Sequence, residues 1–143
     1  MRLNSVLLAT VIAGCAATNV EHEAPTPMSQ RWVPIGEFAG ATVALDTASV
    51  VPLEGGRFRV WITTTFPVDK QLIGKTHRAT RKLVDLDCPG RMARLQKMLL
   101  IDSKGRVVFV SEYPDPAQAR YRTPDPETPT EAELTLTCRA LVH

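Results

Sequence analysis

Past residue 30, this 143-residue chain has no apolar run long enough to span a bilayer, because Arg or Lys interrupts each one. It also lacks the patterns on which most catalysis rests. There is no Gly-x-x-x-x-Gly-Lys-Ser/Thr phosphate loop, no His-Glu-x-x-His, no Gly-x-Ser-x-Gly and no glycine-rich dinucleotide turn. Histidine is scarce: His22, His77 and His143 fall in a polar N-terminal stretch, a polar strand and the last position, too scattered for a three-ligand metal centre. The chain therefore reads as a non-enzyme with no catalytic residue, cofactor or metal, and Glu21-His22-Glu23 as solvated tether. Tryptophan occurs only at Trp32 and Trp61. Two isolated rings fit core or edge packing better than a stacking platform for sugars or bases.

Cysteine is sparse too, and its three positions separate by role. Arg2, the apolar residues 6–12 and the small residues Ala13-Gly14 before Cys15 form the charged, hydrophobic and small-residue regions of an export signal. With Cys directly after Ala-Gly the segment reads as a bacterial lipobox: 1–14 is a signal peptide and Cys15 the lipidated first residue of the mature protein. Residues 15–30, rich in Thr, Glu and Pro, form a flexible tether, and 31–143 one domain. Ala16 is not the Asp associated with inner-membrane retention, so the expected location is the outer membrane, lipid-anchored. Export also argues against a nucleic-acid partner. Cys88 and Cys138 are then an even pair in an oxidising compartment, which predicts a disulfide; a catalytic thiol is the alternative, although neither sits in a nucleophile motif.

The net charge is only +2, but it is unevenly spread. Residues 57–106 hold twelve Lys and Arg against four Asp, whereas the mature residues before and after them are acidic on balance. A basic face toward an anionic partner is one outcome. Cancellation by folded-back acidic flanks, or a solvated sheet face, is the other. Asp85 and Asp87 share a strand face, as paired acid–base carboxylates would; with Arg81, Arg91 and Arg94 nearby, ion pairs are the simpler reading.

From Arg31 the chain reads as short strands broken by turn residues: 31–38, 41–46, 57–66, 76–87, 91–101 and 106–112. Phe58, Val60, Ile62, Thr64 and Phe66 alternate with Arg57, Arg59, Trp61, Thr63 and Thr65, so the first set is expected inward. Asp46 should cap a single helical turn, Glu54-Gly55-Gly56 reverse the chain, Pro89-Gly90 occupy a type II turn and Ser103-Lys104-Gly105 another hairpin. Five Pro within 114–129 predict a long surface loop. Thr130 and Glu133 read as a capping box for a helix ending near Leu141, whose stripe Leu134, Cys138, Leu141 faces the sheet. The expected fold is α+β: a six-stranded antiparallel meander with a C-terminal helix on one face, stapled by one disulfide.

The ordered set of Trp32, Asp46-x-x-Ser49-Val50, a strand with Trp61, a basic strand ending Asp87-Cys88, a returning strand with Arg91 and Arg94, and a last helix with Cys138 resembles the surface-adhesin protein E family across about 31–142. The resemblance implies a small Gram-negative lipoprotein with an antiparallel sheet, a packed helix and a disulfide between the two Cys positions. It also implies non-catalytic binding of host matrix or plasma proteins through the basic strand before the first Cys, matched here by Lys75, Arg78 and Arg81. The acidic, Pro-rich 114–129 replaces the lysine-rich segment that an adhesin can carry. An anionic polysaccharide is a second candidate ligand and pairing of edge strands into a homodimer is open. The alternative function is a periplasm-facing structural or assembly lipoprotein that docks another envelope protein.

Overall fold

The computed structural model describes residues 32–113 and 119–142. The signal, Cys15, the tether, His22 and His143 lie outside the described residues. Seven strands form one antiparallel sheet: β1 Trp32–Phe38, β2 Ala41–Asp46, β3 Val51–Leu53, β4 Arg57–Leu72, β5 Lys75–Asp87, β6 Met92–Ile101 and β7 Val107–Glu112. The helix α1, Pro129–Val142, follows. The strand path is β1-β2-β4-β5-β6-β7, and β3 also pairs with β4.

The expected six strands thus become seven. Val51-Pro52-Leu53 pairs with Arg59, Phe58 and Arg57, while β2 takes residues 62–65 of the same β4 edge. A central proline signals a break, yet at a sheet edge its missing N–H faces away from the ladder and is tolerated. Between these two short strands Asp46 caps a 3-10 turn, its Oδ1 accepting from Ala48 N at 3.1 Å, as expected from the sequence. The strands β4 and β5 are also longer than the pattern suggests. Pro67 does not end β4; the ladder shifts register between Thr65 and Lys70 and resumes as far as Leu72 and Lys75.

Side chains at alternate positions of each strand share a face. Val43 and Leu45 of β2, Val60 and Ile62 of β4, and Val84 and Leu86 of β5 present one buried apolar surface, and Leu134 of α1 closes it. Each such side chain contributes about 1.5–3 kcal/mol on full burial. Leu136, Cys138 and Leu141 pack around this core, so the stripe predicted for the helix is the one that docks. Cys138 is bonded to Cys88 across 50 residues of sequence, with Cα atoms 5.6 Å apart. Toward the other end of α1, the buried Glu133 carboxylate accepts from Lys82 Nζ at 2.9 and 3.1 Å and from the Thr64 hydroxyl at 2.6 Å. A 14-residue helix is marginal alone; here it is fixed at two points.

That second fixing point replaces the expected capping box. Glu133 faces Lys82, because a largely desolvated ammonium without an anion costs more than a local cap contributes. The cap is Thr128, whose hydroxyl accepts from Glu131 N at 3.3 Å, with Pro129 in the first helical position. The β5–β6 turn also differs from the type II expectation. Gly90 does not carry the positive φ; Arg91 does, at 52°, with its N–H donating to Cys88 O at 3.4 Å. Gly90 is needed for room, since a Cβ there would meet Asp87 Oδ2 at 2.8 Å. In the long loop, Arg122 exchanges two 2.9 Å backbone bonds with Ala93 and Ala119 is buried, so part of it is stitched to β6.

The helix meets β1 at Gly36, where an added Cβ would lie 2.6 Å from Leu136 Cδ2. Gly36→Val should cost about 1–3 kcal/mol in urea unfolding, with Leu136→Ala recovering part of the loss in a double-mutant cycle. Purely additive effects would mean that the helix does not rest there.

Candidate binding surface

Among the described residues no helix lies over the sheet face opposite α1, and on it the alternate residues of β4 are Arg57, Arg59 and Trp61. Register puts Arg59 beside Asp85 and Asp85 beside Arg94, in one row across β4, β5 and β6. The next row pairs Arg57 with Asp87. Asp85 is 0% exposed and accepts five hydrogen bonds: Arg59 Nε at 2.7 Å and Nη2 at 3.0 Å, Arg94 Nε at 3.1 Å and Nη2 at 2.6 Å, and Gln96 Nε2 at 3.0 Å. Arg57 Nε lies 3.4 Å from Asp87 Oδ2, and Asp87 Oδ1 accepts from Gly90 N at 2.8 Å. The Tyr121 ring sits 4.9 Å from the Arg57 guanidinium carbon and 4.7 Å from that of Arg94. The Ala93–Arg122 bridge places it there.

Burial alone would raise the Asp85 pKa, but the hydrogen bonds and charges of Arg59 and Arg94 outweigh it and hold the carboxyl below its usual range. The same bond raises the Arg59 pKa. The paired carboxylates are therefore ion-pair acceptors, as the simpler reading had it; Arg94 is the partner of Asp85 as expected, whereas Arg57 and Arg59 stand where Arg81 and Arg91 were expected. Arg81 lies four residues from Asp85 on the same strand, roughly 13 Å away, and stacks instead 5.1 Å from the Trp32 ring. Its Nε is buried with no hydrogen-bond partner among the described residues, and burial lowers its pKa against the opposing charge of Asp46. Arg91 turns to α1, reaching Glu131 and Thr135 at 3.3 Å each.

A second basic feature is the β4–β5 hairpin. Beyond the bulge, residues 67–76 are all exposed, including Val68, Leu72 and Ile73 beside Lys70 and Lys75. Ile73 (φ 52°) and Gly74 (φ 67°) form the two-residue turn. Gly74-Lys75-Thr76 thus belongs to a hairpin rather than to a phosphate loop before a helix. At the base, the buried His77 meets Phe66 edge-on, with ring centroids 5.8 Å apart.

Of the residues singled out from the sequence, Lys75 is exposed beside the turn, Arg78 is half-buried with Nε 2.8 Å from Asp69 Oδ1, and Arg81 lies further along β5 against Trp32. Lys75 and Arg78 belong to the hairpin, and Arg81 belongs to the sheet. Sequence reading missed Arg57, Arg59, Gln96 and Tyr121. The alternation at 57–61 carried the signal for the first two, but only the register puts them opposite acids. Among the described residues, no group of three or more His, Cys, Asp or Glu could hold a metal ion, and no helix is long and apolar enough to cross a membrane.

An acid with a depressed folded-state pKa stabilises fully above its unfolded value, about pH 4, and loses that contribution as pH falls through the lower folded value. Asp85→Asn should therefore cost about 3 kcal/mol at neutral pH, since both arginines retain some solvent contact, and should flatten the decline of stability below about pH 4. Urea unfolding from pH 7 to pH 2 measures both. An unchanged acid limb in the variant would contradict the assignment.

Neither curated proteins nor solved structures supply a match to the chain. A family model does: that of surface-adhesin protein E covers residues 32–139, which include every strand and the helix through the disulfide. By that match, over the same residues that build the stapled sheet, the chain belongs to the surface-adhesin protein E family.

Proposed function

We propose that this protein is a non-catalytic binding module of adhesin type, held in the outer membrane by lipid on Cys15, whose β4–β5 hairpin contacts an acidic patch of a host matrix or plasma protein. Family membership supports the adhesin role. The observation that carries the site is Ile73. A β-branched residue in the left-handed region costs about 1–2 kcal/mol, and a turn of this kind ordinarily takes Asn-Gly. Here it is Ile73, 63% exposed, flanked by exposed Leu72 and Val68 and by the cations Lys70 and Lys75. A strained apolar tip in water contributes nothing to folding; docked on a partner it contributes buried area. Lys75 and Arg78 supply charge complementarity, with Arg81 further along the strand.

Ile73→Asn should raise stability by about 1 kcal/mol and weaken binding to immobilised matrix and plasma proteins in surface plasmon resonance. Lys75→Glu with Arg78→Glu should weaken it by about tenfold or more. Unchanged binding to every such protein in both variants would overturn the reading. Variants that lose binding only to an anionic polysaccharide would place the ligand there instead.

A further inference from the structure

The Asp85 cluster has more cations than its structural task uses. Arg57, Arg59 and Arg94 face two carboxylates, Asp85 and Asp87, so the group keeps one positive charge. Within it, hydrogen bonds employ Nε and Nη2 of Arg59 and of Arg94, and Nε of Arg57. The remaining guanidinium nitrogens, Nη1 of Arg59 and Arg94 and both Nη of Arg57, have no hydrogen bond to any described residue. The side chains of Arg57 and Arg59 are 44% and 38% exposed. They lie two residues apart on one face of β4, roughly 7 Å along the strand. Arg59 and Arg94 are immobilised by Asp85 from below, and the Tyr121 ring stiffens Arg57 and Arg94. Ordering long arginine side chains is normally a cost of binding; the fold has already met it.

We infer that Arg57, Arg59 and Arg94 form a preorganised subsite for a sulfate or phosphate ester, separate from the β4–β5 hairpin. A tetrahedral ester offers three terminal oxygens, enough to accept from two guanidinium forks together, whereas a planar carboxylate is filled by one. Asp85 serves as a positioning residue for this subsite. Its negative charge opposes an anion, yet its hydrogen bonds aim the forks.

Isothermal titration of the folded protein tests this with three probes: a heparin-derived hexasaccharide for sulfate, inositol hexakisphosphate for phosphate, and an unsulfated galacturonate oligomer carrying carboxylates alone. Binding of the first, the second or both, with the carboxylate oligomer at least about tenfold weaker, supports the subsite and names the ester. Arg57→Gln should weaken the ester by about tenfold, Arg57→Lys by an intermediate factor because charge remains without the fork, and Lys104→Gln on the β6–β7 turn not at all. Asp85→Asn, if folded by circular dichroism, should bind more weakly despite its lost negative charge. Equal affinity for all three probes, no change with Arg57→Gln, or tighter binding by Asp85→Asn would overturn the inference. Lys75→Glu with Arg78→Glu should leave ester binding within about twofold, so failure at one site does not decide the other.

Discussion

The covalent bond between Cys88 and Cys138 holds α1 over the apolar face of the sheet. An open antiparallel sheet with one helix packs its apolar core on one face. The bond joins the end of β5 to the last turns of α1, and Glu133 with Lys82 and Thr64 fixes the opposite half of the helix. Between these points Leu134 joins the cluster of Val43, Leu45, Val60, Ile62, Val84 and Leu86. In the chain-entropy account, closing a loop of 50 residues contributes roughly 4 kcal/mol, a large fraction of a small domain's stability.

Among the described residues the opposite face carries no helix and is held by charge and by the rings of Tyr121 and Trp32. Asp85, wholly buried, draws Arg59 from β4 and Arg94 from β6 onto β5. This crosslinks three strands without a second layer. A buried carboxylate alone would be strongly destabilising, and five donors offset that penalty. Arginine rather than lysine fits here, since one fork can spend two nitrogens on the acid and keep another for solvent or a ligand. The stability of the face and its capacity to meet anions thus come from the same three side chains.

Much of the fold was legible in the sequence because its signals were local: alternation at 57–66, the cap at Asp46, the turn at Ser103-Lys104-Gly105, the helical stripe and the even pair of cysteines. What escaped depended on register or on distant partners. Val51-Pro52-Leu53 is a strand only because β4 offers an edge beside β2. Glu133 sits where a capping box would have it, but Lys82 on β5 claims it. Pro67 reads as a stop, although the bulge absorbs it. At the candidate sites, Lys75 and Arg78 were visible as charges, while the positive φ of Ile73 and the convergence of Arg59 and Arg94 on Asp85 follow from pairing that no local pattern encodes.

The claim on which the account turns is that the staple holds the helix over the core. Amide hydrogen exchange with mass spectrometry, run on the protein before and after selective reduction of Cys88–Cys138, tests it most directly. The account predicts that after reduction residues 129–142 lose protection first, while the central strands β4, β5 and β6 keep most of theirs. A helix as protected after reduction as before would contradict it.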